Sequence, residues 1–153
     1  MLSKKAKYGL QALLLLAKEY GHGPVLISEM AERERIPKKF LELILLELKN
    51  KGVLQSKKGR GGGYLLSKTP GAITMGHIIR ALDGPLAPIP CVSQTAYVKC
   101  EECKDETTCG IRIVMKEVRD ATAKILDGTT LAEILDRVGM AARLGRESSV
   151  YSI

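Results

Sequence analysis

A mainly α-helical fold is predicted by three features of this 153-residue chain. Its core has to be aliphatic, because hydrophobic residues make up 45% of the sequence while aromatics make up 4%, with one Phe and no Trp. Leucine and isoleucine recur at intervals of three and four, the spacing that turns one helix face inward, which favours helices over packed sheets. The one change of period is a pair of short strand-like pieces around the tip KKGRGGG. The length suffices for one domain with a real core, or for a small domain carrying an appendage.

The elements follow in order. Ser3 is placed to cap a first helix over residues 3–20, whose Leu10, Leu13, Leu14 and Ala17 share a face. Gly21-His22-Gly23-Pro24 breaks it. A short second helix, with Ser28 near its start, aligns Ile27, Met30 and Ala31 and ends at Ile36-Pro37. Pro37 suits the first turn of a third helix, where a proline forfeits no bonded amide; Phe40, Leu41, Ile44, Leu45 and Leu48 form its apolar face, and Gly52 stops it. Val53–Ser56 and Tyr64–Ser67 then read as a hairpin with a long basic tip. Three helices followed by a basic hairpin is the order of a winged helix-turn-helix, in which a helix enters the major groove and the wing reaches the backbone or minor groove.

Beyond Pro70-Gly71, Thr74 caps a helix through Leu82, and DGPLAPIP is an extended linker. From Gly110 a long helix repeats Val114, Val118, Ala121 and Ile125, a stripe that buries well only against a partner. Gly128 ends it, and Thr130 with Glu133 opens a short final helix through a capping box. The remaining GMAARLGRESSVYSI lacks an apolar stripe and reads as a flexible tail. The expected organisation is a DNA-binding module over 1–70, a connecting helix and cysteine loop over 71–109, a pairing helix and short helix over 110–138, and a tail over 139–153.

Charge divides the chain in two. Residues 1–68 hold 14 Lys/Arg against 6 Asp/Glu, a net +8, whereas residues 69–153 hold 10 against 11. Such asymmetry marks a polyanion-binding module joined to something else. No run of about twenty apolar residues is present to span a membrane. The N-terminal LLLLA is followed at once by Lys18 and Glu19, without a small-residue cleavage site, so it reads as an amphipathic helix and not as an export signal. The expected location is cytoplasmic, with reduced thiols.

Within the basic module, Lys38 and Lys39 open the third helix and suit phosphate contacts, while Glu42, one turn on, suits a cytosine amino group, a solvated face or a partnership with nearby lysines. Lys57 and Lys58 would neutralise phosphates, and Arg60, amid Gly59, Gly61, Gly62 and Gly63, is free to enter a narrow minor groove. A phosphate-binding glycine loop is the competing reading of GRGGG, but it lacks the GK[ST] ending and a following helix.

All four cysteines lie within nineteen residues, Cys91, Cys100, Cys103 and Cys109, spaced C-x8-C-x2-C-x5-C. Clustered thiolates suit a soft metal ion or an iron–sulfur cluster; the single CxxC leaves zinc, redox thiols and inert cysteines as alternatives. Glu101, Glu102, Asp105 and Glu106 would add negative charge and lower the potential of such a centre, or simply solvate the loop. His22 and His77 read as surface or packing residues.

The opening LSKKAKYGLQALLLLA, the block SEMAERERIPKKFLELILLELKNKGVLQS, the wing KKGRGGGYLLSK, the ALDGPL segment and the cysteine loop closely resemble, in that order, the IscR/NsrR/CymR family of regulators, over residues 1 to about 138. The resemblance implies a homodimer pairing through residues 111–127 and binding palindromic promoter DNA, with Lys39 and Glu42 where bases are read and Arg60 where the minor groove is probed. It implies a 2Fe–2S cluster on Cys91, Cys103 and Cys109, with a fourth ligand of another kind. This chain departs from the pattern twice. Pro37-Lys38-Lys39 replaces a serine near the start of the recognition helix, and Arg112 stands where IscR has a ligating histidine. Cys100, or a residue near the other protomer's N-terminus, would complete the ligand set.

The leading expectation is therefore a non-enzymatic, dimeric DNA-binding regulator in which a cluster orders residues 84–109 against the long helix and adjusts the two DNA-reading heads. The alternatives are a CymR-like regulator governed by a partner protein, and a thiol oxidoreductase using Cys100 and Cys103. The latter lacks the βαβ context such chemistry needs.

Overall fold

The computed structural model describes residues 2–151. Three helices come first: α1 (Lys4–Lys18), α2 (Ile27–Glu34) and α3 (Lys38–Asn50). The antiparallel hairpin of β1 (Leu54–Lys57) and β2 (Gly63–Leu66) follows, pairing Leu54 with Leu66 and Lys57 with Gly63. After it come α4 (Met75–Asp83), α5 (Gly110–Asp127) and α6 (Leu131–Tyr151). The fold is mainly helical with a winged helix-turn-helix at its head, as the periodicity predicts.

Local signals account for the boundaries. The Ser3 hydroxyl accepts from the Ala6 amide at 3.0 Å, satisfying one of α1's free donors. α2 ends at Arg35, held in the left-handed region at φ 54°, and the turn drops Ile36 into the core. α3 closes with the Val53 amide on the Leu48 carbonyl at 2.9 Å and the Gly52 amide on the Lys49 carbonyl at 3.0 Å, a glycine-terminated helix end at φ 77°.

One hydrophobic core unites these elements. Leu13, Leu15, Met30, Leu41, Ile44, Leu45, Leu48, Ile78 and Leu131 are all fully buried. Each contributes roughly 1.5–3 kcal/mol by leaving water. Tyr8 packs edge-on to Phe40 with ring centroids 5.6 Å apart. The first turns of α6 belong to this core through Leu131, Ile134 and Leu135, which rest partly on α1. The Thr130–Glu133 capping box is present, with the Glu133 carboxylate accepting from the Thr130 amide at 2.9 Å and the Thr130 hydroxyl accepting from the Glu133 amide at 3.2 Å.

The C-terminal end corrects the sequence reading. A short final helix and a tail over 139–153 were expected; α6 instead continues without a break to Tyr151. Ala141, Ala142, Arg143, Leu144, Arg146 and Glu147 are strong helix formers, so propensity carries the helix where no apolar stripe guides it. The Ser148 and Ser149 hydroxyls donate back to the Leu144 and Gly145 carbonyls at 2.9 and 3.1 Å. Residues 152–153 of the expected tail lie outside the described residues.

α5 meets the core at its last turn, where Leu126 packs against it. None of its residues is buried, and Ile111, Ile113, Val114, Val118 and Ile125 are 43–69% exposed. It is tied to the head at its far end, where Arg80 of α4 grips Asp127 through two parallel bonds of 2.5 and 2.8 Å. Beside that clamp the Met75 amide donates to the Thr129 carbonyl at 2.8 Å and the Leu131 amide to the Ile73 carbonyl at 3.0 Å.

Candidate nucleic-acid interface and cysteine cavity

The helix-turn-helix packing decides which side of α3 faces outward. With Leu41, Ile44, Leu45 and Leu48 buried, the opposite face presents Lys39, Glu42, Leu43 and Leu46, with Lys38 beside them, all exposed. On the hairpin, Lys57 ends β1, and Lys58, Arg60 and Gly61 occupy the tip, also exposed. The tip is a tight turn in which the Gly62 amide donates to the Gly59 carbonyl at 3.0 Å. Gly59 and Gly61 adopt φ of 86° and 74°, a region side-chain-bearing residues resist, so the turn requires glycine and leaves Arg60 projecting between them.

Among the described residues, no ion pair involves Lys38, Lys39, Glu42, Lys57, Lys58 or Arg60. Some cations elsewhere are engaged: Lys5 and Lys51 with Glu47, Arg33 with Glu19 and Glu29, Arg80 with Asp127, Arg119 with Asp120. The alternative role for Glu42, as a partner to neighbouring lysines, is therefore not what the structure contains. Unneutralised cations on one projecting helix and one projecting turn form a surface suited to phosphates.

The four thiols arrive from three places. Cys91 sits in a single 3-10 turn, Pro90–Val92; Cys100 and Cys103 flank a loop turn closed by the Cys103 amide on the Cys100 carbonyl at 3.2 Å; Cys109 caps α5. All four line one cavity of about 760 Å³ together with Ile89, Val98 and Ile111. Cys91, Cys103 and Cys109 are half-buried, and Cys100 is exposed. The Cys100 thiol donates to the Glu102 carboxylate at 3.0 Å, which raises the thiol's pKa and lowers that of Glu102.

This donor set suits a soft metal or cluster, with four thiols on one cavity and α5's first-turn amides, which favour an anionic guest, at its edge. Among the described residues, no three His, Cys, Asp or Glu side chains stand close enough to hold a metal ion, so ligation requires the loop to draw inward. His22 and His77 are exposed and line no part of the cavity.

Two arginines root the cysteine loop on α5, and the sequence reading missed both roles. Arg112, which lines the cavity, donates through Nε to the Cys91 carbonyl at 3.4 Å; Arg119, two turns on along the same face, donates through Nη1 to the Val92 carbonyl at 2.7 Å. Their shared helix face was the available signal, but nothing local names carbonyls far away in the chain as partners. The expected negative field is also revised. Lys99, Lys104 and Arg112 line the cavity beside Glu101, Glu102 and Asp105, and the Glu106 carboxylate accepts from the Tyr97 hydroxyl. Cations thus offset the acids.

A second set of contacts leads from α5 to the head. The Arg80–Asp127 clamp holds α4; at α4's C-terminal end, Asp83 accepts from the Ser3 amide at 3.0 Å, and the Ala81 carbonyl accepts from Lys51, just beyond α3. Arg80 keeps the Asp127 carboxyl below its ordinary pKa through these hydrogen bonds.

Known proteins resemble this chain in sequence and fold. An rrf2-like protein of Rhodobacter capsulatus is 43% identical over 147 residues, spanning 94% of this chain and 98% of the relative. The HTH-type transcriptional regulator CymR of Bacillus subtilis is 35% identical over 133 residues, 87% of this chain and 88% of the relative. Among solved structures, CymR, the global cysteine regulator of B. subtilis, superposes with a TM-score of 0.75 at 34% identity, covering 90% of this chain and 97% of that one. T. potens IscR superposes at 0.73 with 30% identity, covering 92% and 90%. The Rrf2 model, described as an iron-dependent transcriptional regulator, matches residues 2–137. With that match and these likenesses joined to a winged head bearing unneutralised cations, the chain belongs to the Rrf2 family and is a DNA-binding transcriptional regulator, not an enzyme.

Proposed function

We propose that this regulator binds palindromic promoter DNA as a homodimer, and that an iron–sulfur cluster of the 2Fe–2S type, held by Cys91, Cys100, Cys103 and Cys109, modulates operator binding. The observation that carries the reading is the meeting of all four thiols at one cavity rooted on α5. Lys39 and Glu42 contact bases, Lys38, Lys57 and Lys58 contact phosphates, and Arg60 with Gly61 enters the minor groove. The uncovered apolar stripe of α5 supports pairing, since one chain leaves Val114, Val118 and Ile125 in water.

A cluster on thiolates supplies a centre whose presence depends on iron supply and oxidants. The chain's own part is mechanical. Drawing the loop inward changes how Arg112 and Arg119 seat the Cys91 turn on α5, and the clamp from Asp127 through Arg80 and α4 leads to the start of α1 and the end of α3. Such a switch operates through the difference between two arrangements of one molecule.

Likeness to CymR favours a second reading, in which a partner protein governs the same DNA-binding dimer and no cluster forms. Zinc on the same thiols is the remaining alternative. Purification without oxygen, followed by iron, sulfide and zinc analysis, separates the three. Stoichiometric iron and sulfide support the cluster, zinc alone supports a structural ion, and a metal-free protein supports partner control.

A further inference from the structure

The outward face of α3 carries a feature that phosphate binding does not use. Leu43 is 66% exposed and Leu46, one turn on, is 48% exposed, both on the side opposite the buried Leu41, Ile44, Leu45 and Leu48. Scattered surface leucines are ordinary. These two continue, toward the helix C-terminus, a stripe that starts with Lys39 and Glu42, whose charges have no ion-pair partners among the described residues. A surface that is cationic at its near edge and apolar beyond it matches the major groove, where phosphates border base edges and the one prominent apolar group is the 5-methyl of thymine. Leu43 lies in the second turn of α3, within the part of a recognition helix that reaches bases.

We propose that Leu43 reads a thymine methyl group and so fixes an A·T pair at one position of each half-site. The inference rests on α3 being the recognition helix, and its test keeps the two claims apart. Full-length protein selects from a random duplex library, and the enriched operator is then made with deoxyuridine replacing the thymine at that position, which deletes only the methyl group. Wild type is expected to bind the deoxyuridine operator about fourfold more weakly per half-site, the worth of one buried methyl. Leu43→Ala should bind both operators equally, whereas Leu43→Met, which keeps an apolar tip, should retain the discrimination. Because Leu43 is exposed, neither variant should shift the thermal midpoint.

Equal binding of both operators by wild type overturns the proposal, as does undiminished discrimination by Leu43→Ala. A Leu43→Ala protein that discriminates normally but dimerises less assigns the leucine to a protein contact instead. Failure of wild type to enrich any sequence removes the recognition-helix reading itself.

Discussion

The winged head and the cysteine-bearing arm are built on opposite terms. In the head, α1 to α4 share a core of fully buried aliphatic side chains, and Ser3 and Thr74 cap α1 and α4. In the arm, no residue of α5 is fully buried, the thiols stand in a polar loop, and two arginine-to-carbonyl bonds root its first turn. The head is complete as a single chain, while the arm leaves an apolar stripe and a thiol-lined cavity uncovered. A head whose core closes within one chain is thus joined to an arm whose apolar stripe and thiol-lined cavity stay open. Regulatory elements belong at this low-stability end, because a segment already locked in place has no second arrangement to adopt.

That contrast can be broken by substitution. The largest effect should come from the head: Leu45→Ala, at a fully buried position, should cost about 2–5 kcal/mol of unfolding free energy in a denaturant titration. Next, Val114→Asp with Val118→Asp places charges on the exposed stripe of α5. Sedimentation should show dimerisation weakened at least ~100-fold, about 2.8 kcal/mol, with the thermal midpoint of the head unchanged. A dimer that survives would show that another surface pairs the chains.

Arg119→Ala should act more locally. It removes a bond from a side chain only 13% exposed, worth roughly 1.5 kcal/mol at the turn. Hydrogen exchange should rise over 90–109 and remain unchanged in α1 and α3; protection lost in both regions would contradict the division. The smallest effect concerns pH. Asp127 has a lowered folded-state pKa because of Arg80, so its contribution is present above the ordinary aspartate value near ~4 and fades as pH falls through the folded value. Asp127→Asn should flatten the stability curve slightly below pH ~4 and, because the pair is partly exposed, cost only a few tenths of a kcal/mol above it.

The two regions also differed in how far their residues announced the structure. The head was legible because burial imposes period: one face of α1, the turn at Ile36-Pro37 and the glycine tip each have a local cause. Even within α3, where FLELILLEL is apolar at most positions, the three- and four-residue spacing of Phe40, Leu41, Ile44, Leu45 and Leu48 picks out the inward face and leaves Leu43 and Leu46 outside it. The thiols could be gathered from their spacing, but not the arginine anchors, which join residues 21 and 27 positions apart. The length of α6 escaped for the opposite reason: propensity without burial leaves no stripe to read.

The central claim is that the guest of the arm sets the affinity of the head. Operator dissociation constants, measured for cluster-loaded and cluster-free protein at one fixed salt concentration, test it directly. The account predicts values that differ by about tenfold, within the usual range of coupling between distant sites. Equal constants in both forms would contradict it.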